Sequence, residues 1–334
     1  MARPIDEFAA AWGALSGASG EGGWRSIAVA PAGSCALMAG RRFPGNEEAL
    51  LAGFSSAKVP AAEKLPEGRG FEVSRADPHG DGKTWLALTR RESGSVELFA
   101  EMVGDVAGAM DAEAAEGEER ILRTLLSRVR AWQEFMRKGA QALSPEAEIG
   151  LVGELTVLGA IIEAGVPASL ALDAWVGPLG GVQDFEIGTG AMEVKATLSS
   201  QGFPAKIGSL EQLDDAVRKP LFVAAARLSQ NGSGRSLPEL ALDIKAEISG
   251  HPGAERLFSD RLLAAGYHES HADRYQRRFS VAETRVVEVG DGFPRIVPGS
   301  VPEGVRRATY EIDIERAPGG EVGMVGALMR LGAL

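Results

Sequence analysis

The chain has 334 residues, 45% of them hydrophobic and 24% charged, an ordinary globular profile long enough for about two domains. A single cysteine, Cys35, and four histidines, His79, His251, His268 and His271, exclude a disulfide scaffold, a cysteine-rich zinc site and a histidine-rich metal cage. A formal net charge of −11 argues against coating nucleic acid by bulk electrostatics, but it leaves open a local grip on a phosphodiester through a metal ion.

The opening MARPIDEFAAAW carries acids where a signal peptide needs an apolar core, and no uncharged apolar run nears the roughly 18 residues of a membrane span. A cytoplasmic protein without membrane association is expected. Runs at 27–30, 35–39, 71–73, 85–88 and 96–102, separated by glycine and proline turns, predict strands and a β-rich N-terminal domain over 1–115. A charged connector around Gly117 then leads into a helix within 116–143. Its stripe is Ile121, Leu122, Leu125, Val129, Trp132 and Met136, close to the 3.6 period, and Gly139 is its stop.

Ser144 as N-cap and Pro145 at the first helical position open a second helix, which runs to Gly165. Strands are predicted at 170–176, 182–187 and 192–198. Ser209 and Gln212 have capping-box spacing for a helix to about Arg218; a strand follows at 221–228, and Ser236 with Glu239 opens a further helix. Residues 145–228 therefore read α-β-β-β-α-β, within a core over 144–250. Residues 251–334 form a C-terminal α+β extension, with a helix through Leu263 and strands at 279–289 and 308–314. The fold class expected is α+β.

The chemistry concentrates in that core. Only 8 of the 35 basic residues are lysines, so a lysine beside acids is informative. On a strand, residues two apart share a face, so Glu193, Lys195 and Thr197 project opposite Met192, Val194 and Ala196. Asp184 lies on the preceding strand of the hairpin, across the Gly188-Thr189-Gly190 turn. Two carboxylates holding a hard divalent cation, with an ammonium nearby, suit phosphodiester hydrolysis. The same acid-x-lysine string recurs at Asp81–Lys83, in a glycine-rich turn, and at Asp243–Lys245, on a predicted helix where such residues diverge. Glu154 has non-polar helical neighbours at Gly150, Leu151, Val157 and Leu158, so it is either a third acid facing the sheet, completing or supporting a metal site of Asp184, Glu193 and Glu154, or an edge residue reaching water. The alternatives for the others are a turn residue at Asp184 and a solvated ion pair at Glu193–Lys195.

These stretches carry a family resemblance. GLVGELTVLG at 150–159, WVGPLGGVQDFEIG at 175–188, MEVKAT at 192–197 and, more loosely, IGSLEQL at 207–213 resemble the PD-(D/E)XK nuclease superfamily. The resemblance is closest to an uncharacterised bacterial family of such members, found near restriction and phage-defence genes. It implies a restriction-endonuclease-like core and metal-dependent DNA cleavage. By resemblance, Asp184 and Glu193 bind Mg2+ or Mn2+, Lys195 is catalytic, and Glu154 is the helix-borne acid. Gln183 replaces the proline of the family name, and no tyrosine follows Gln212 four residues on.

The partners implied are DNA, other restriction or defence subunits, and a second copy, since a double-strand break commonly takes two active sites. The rival reading is a catalytically inactive module of the same fold that binds DNA or a partner protein. A structural α+β protein with ordinary ion pairs is the bland alternative.

Other signals lead elsewhere. The segment 79–84 lacks the first glycine and the helix of a phosphate loop, so it reads as a hairpin turn. Gly177–Gly181 reads as a tight loop at the active face, and Cys35 as a small core residue. Arg120, Arg123, Arg128, Arg130, Arg137 and Lys138 form one basic cluster; Arg274, Arg277 and Arg278 beside Tyr275 form another. Each is either a phosphate-tracking face or a solvated one.

Overall fold

The structure, a computed structural model, describes residues 6–17, 22–137 and 142–334. Lys138 and Gly139, with the helix stop assigned to the latter, and residues 1–5 of the opening segment lie outside the described residues. The chain splits into two compact units, Met1–Ala140 and Gln141–Leu334. No described helix is long and apolar enough to cross a membrane.

The first unit contains α1 (Asp6–Leu15), then β1 (Gly23–Ala28), β2 (Ala36–Phe43), β3 (Glu47–Phe54), β4 (Phe71–Ala76) and β5 (Thr84–Arg90), followed by α2 (Val96–Ala112) and α3 (Glu118–Arg137). The strands form one antiparallel sheet in the order β1-β2-β3-β5-β4. Residues 96–102, expected as a strand, are instead the start of α2. Ser95 caps it by accepting the Leu98 amide, and Phe99, Met102, Val103, Val106 and Met110 bury at helical spacing. A seven-residue apolar window is too short to separate the two periods. The strand β3 was not anticipated. Seven of its eight residues are buried, so it lacks the alternation that marks a strand with one wet face.

In the second unit come α4 (Pro145–Glu163), α5 (Ala168–Ala174), β6 (Phe185–Ile187), β7 (Gly190–Thr197), β8 (Pro204–Ile207), β9 (Leu221–Ser236), α6 (Leu237–Glu247), α7 (Pro252–Ala265), β10 (Arg278–Glu288), β11 (Tyr310–Asp313) and α8 (Gly323–Leu331). The main sheet runs β10-β9-β7-β6. In it β7 pairs antiparallel to β6 and parallel to β9, while β8 and β11 form a separate antiparallel pair. The fold is mixed α+β, as expected.

Several local signals hold. Ser144 accepts the Ala147 amide at the start of α4, and Ser236 with Glu239 makes both bonds of a capping box on α6. Two core elements differ from expectation. Residues 170–176 are mostly α5, and of the expected strand there remains an isolated bridge from Trp175 to Phe185. Residues 209–218 form turns rather than a helix: the Ser209 hydroxyl accepts the Glu211 amide, and the Gln212 side chain accepts the Gly208 amide. Both polar side chains close local turns in place of capping a helix.

The sheet has two covered faces. Met192, Val194, Phe222, Ala224 and Val286 join a core with residues of α4, α6, α7 and α8. Ala191, Leu221, Val223, Ala225 and Val287 join a second core with Ala205, Ile207 and Ile312 of the β8–β11 pair. On the first face α4 comes very close to β7. A Cβ placed on Gly153 would lie 2.7 Å from the Ala196 Cβ, so this crossing requires glycine.

Candidate active site

Asp184 stands immediately before β6 and is clamped from two directions. Its Oδ2 accepts the Val194 amide of β7 at 2.7 Å, and its carbonyl accepts the amides of Val176 at 2.9 Å and Gly177 at 3.0 Å. The glycine loop approaches so closely that a Cβ on Gly177 would lie 2.7 Å from Asp184 Oδ1. Beside it Gln183, buried, donates its amide to the carbonyls of Glu211 and Gln212. The loop of 177–181 and the turns of 209–214 thus brace the same corner.

Pairing Phe185 with Met192 sets the hairpin register, and strand alternation then puts Glu193 and Lys195 on one face. Glu193 is only 1% exposed. Lys195 Nζ donates to its Oε1 at 2.6 Å, while its Oε2 is buried without a hydrogen-bond partner. Burial first, then the Asp184 charge, pushes the Glu193 pKa up to about 8; Lys195 opposes the shift and Glu154 adds to it. Part of Asp184 reaches solvent, yet desolvation of its carboxylate raises its pKa as well, against the pull of the Val194 amide and Lys195.

Glu154, on α4, accepts a hydrogen bond from the Trp175 indole at 2.7 Å. It is partly exposed, and its charge is felt at Glu193. The structure therefore brings Asp184, Glu193 and Lys195 together, with Glu154 in electrostatic reach. Among the described residues no group of three or more acidic, histidine or cysteine side chains is gathered closely enough to hold a metal ion. The expected cage of three carboxylates is thus not preformed. Two desolvated carboxylates, of which Asp184 raises the pKa of Glu193 and Glu193 keeps an unsatisfied oxygen, still fit a hard divalent cation, because magnesium needs only one or two carboxylates besides water and phosphate oxygens.

The other two acid-x-lysine strings do different things. Asp81 accepts the Trp85 indole and the Lys83 amide in a turn, whereas Asp243 pairs with Arg235 and Lys245 with Glu269. The basic clusters are mostly tied up within the chain: Arg120 with Glu113, Arg128 with Asp105, Arg130 with Glu63, Arg137 with Glu134, Arg277 with Glu148, and Arg278 with Glu239. Trp175 was read only as part of a motif. Its link to Glu154 has no local signature, since the two stand twenty-one positions apart and meet only through packing.

A family model described as "Putative PD-(D/E)XK family member, (DUF4420)" matches residues 8–315 of the chain. No curated protein and no solved structure matches it.

Proposed function

The chain belongs to the DUF4420 family of PD-(D/E)XK members, and on that premise we propose that it hydrolyses phosphodiester bonds of DNA with a divalent cation. The observation that supports this most is the buried Glu193 carboxylate, near enough to Asp184 to be repelled by its charge, hydrogen-bonded by Lys195 and left with one unsatisfied oxygen. A buried acid that is not fully compensated either holds a proton, as the raised pKa of Glu193 indicates, or takes up a cation in the proton's place.

When bound, magnesium or manganese polarises the phosphoryl oxygen and lowers the pKa of a water molecule. Asp184 and Glu193 hold that ion in this reading. Lys195, held beside the carboxylates, would position the attacking water as an ammonium, or accept its proton after first releasing its own to Glu193. Glu154 supports the site through its charge, as a neighbour of the ligands. A place in restriction or phage defence, with partner subunits or as a homodimer, belongs to the same proposal and rests on the family resemblance.

The test is nicking of supercoiled plasmid in magnesium or manganese. Lys195→Ala is expected to lose about 100-fold or more in rate; metal-dependent cutting at the wild-type rate would reject the assignment. The closed Glu193–Lys195 pair also favours a second reading, an inert module in which the amine takes the cation's place. Calorimetric titration with Mn2+ separates the two, since no metal binding with retained DNA affinity identifies the inert module.

A further inference from the structure

We propose that Trp175 is a positioning residue of this site, one whose indole orients the Glu154 carboxylate on α4 while its chain neighbours clamp Asp184. The inference rests on the cation-site reading above.

Trp175 is fully buried at the end of α5, where its amide donates to the Ala171 carbonyl at 3.2 Å. Its ring packs near Phe185, nearly parallel at 6.5 Å, and near Phe258, tilted at 6.3 Å. Phe185 directly follows Asp184, and the backbone bridge between Trp175 and Phe185 fixes the two segments to each other. The next two residues, Val176 and Gly177, supply both amides that hold the Asp184 carbonyl. The indole N–H then reaches across to Glu154 at 2.7 Å. A single side chain, packed beside two aromatic rings, thus connects the acid on α4 to the acid before β6.

Phenylalanine would fill much of the same space, so packing alone does not account for the donor. A carboxylate among apolar helical neighbours keeps its charge at low cost only if a donor meets it. The indole supplies one on a fully buried ring with only two side-chain torsions. Groups that hydrogen-bond metal ligands typically change metal affinity by 10- to 100-fold when lost, and a group one step further out should act at the lower end of that range.

Mn2+ binding to the full chain, followed by calorimetry, tests the link. Trp175→Phe, which keeps the ring and loses the N–H, should weaken binding about tenfold. Glu154→Ala, which leaves the indole in place, should weaken it by a similar factor. The double variant should also lose about tenfold rather than about a hundredfold, because the indole acts through Glu154 and has nothing to orient once that carboxylate is gone. Wild-type affinity in either single variant, or independent losses that multiply in the double variant, would overturn the proposal. Should Trp175→Phe fail to fold, Glu154→Ala alone decides, since unchanged affinity there removes the basis for the role. Glu193→Gln serves as the reference. If it binds Mn2+ as wild type does, the cation site itself is wrong; if it loses binding while Trp175→Phe and Glu154→Ala do not, only the role of Trp175 fails.

Discussion

At Glu193 the protein holds a carboxylate whose folded pKa, about 8, lies well above the ordinary value of 4.5. Such a group binds its proton more tightly in the folded than in the unfolded chain. Its contribution to stability is full below about pH 4.5 and is lost as pH rises to about 8. In chelator, the wild-type melting temperature should therefore fall across that window more steeply than that of Glu193→Gln; parallel curves would refute the buried acid. Glu118, at the start of α3, has the opposite sign. Against the cost of burial it accepts the amides of Ser55, Ser56 and Ala57 and the Ser56 hydroxyl, and its pKa falls to about 2. That stability is present above about pH 4.5 and is lost as pH drops toward about 2. Glu118→Gln should flatten the acid limb of the stability curve measured by denaturant titration. The sharing of a face by Glu193 and Lys195 was legible from strand alternation. The near-complete burial of Glu193 was not, because exposure depends on residues far away in the chain.

Among the elements, the crossing of α4 over β7 positions the site. Gly153 precedes Glu154, and a methyl there would press on Ala196, next to Lys195. Gly153→Ala should cost about 1–3 kcal/mol in urea denaturation, the usual penalty of overpacking. Ala196→Gly in the same chain should recover part of it, and a fully stable Gly153→Ala would show that α4 has room to shift. Elements with strong end signals were legible: Ser144-Pro145 opens α4, and Ser236 with Glu239 opens α6. Where a short apolar run stood without such signals, at 96–102 and 170–176, helix and strand were indistinguishable and tertiary packing chose the helix. At 209–218 the cap-like residues closed turns, because a side-chain oxygen satisfies a turn amide as readily as a helix N-terminus.

At the scale of the whole molecule, a net charge of −11 and arginines largely paired within the chain leave little bulk attraction for a polyanion. A bound cation would then be the local source of positive charge, and it would also stabilise the fold by mass action. At about 100 times its Kd, Mn2+ should add about 2.7 kcal/mol to the wild-type chain. The matching rise in melting temperature should be absent from Asp184→Asn and Glu193→Gln. A rise that survives both substitutions would place the metal elsewhere.

By itself the sequence determined what near neighbours decide: helix caps, turn glycines, the shared face of Glu193 and Lys195, and the α+β class. The tertiary structure alone decided that Asp184 is clamped by Val176, Gly177 and Val194, that Trp175 answers Glu154, and that three acids do not close into a ready-made cage. The reason is one of range. Covalent geometry and periodicity act over a few residues, whereas burial, desolvation and hydrogen-bond partners are set by whichever distant segments close around a side chain.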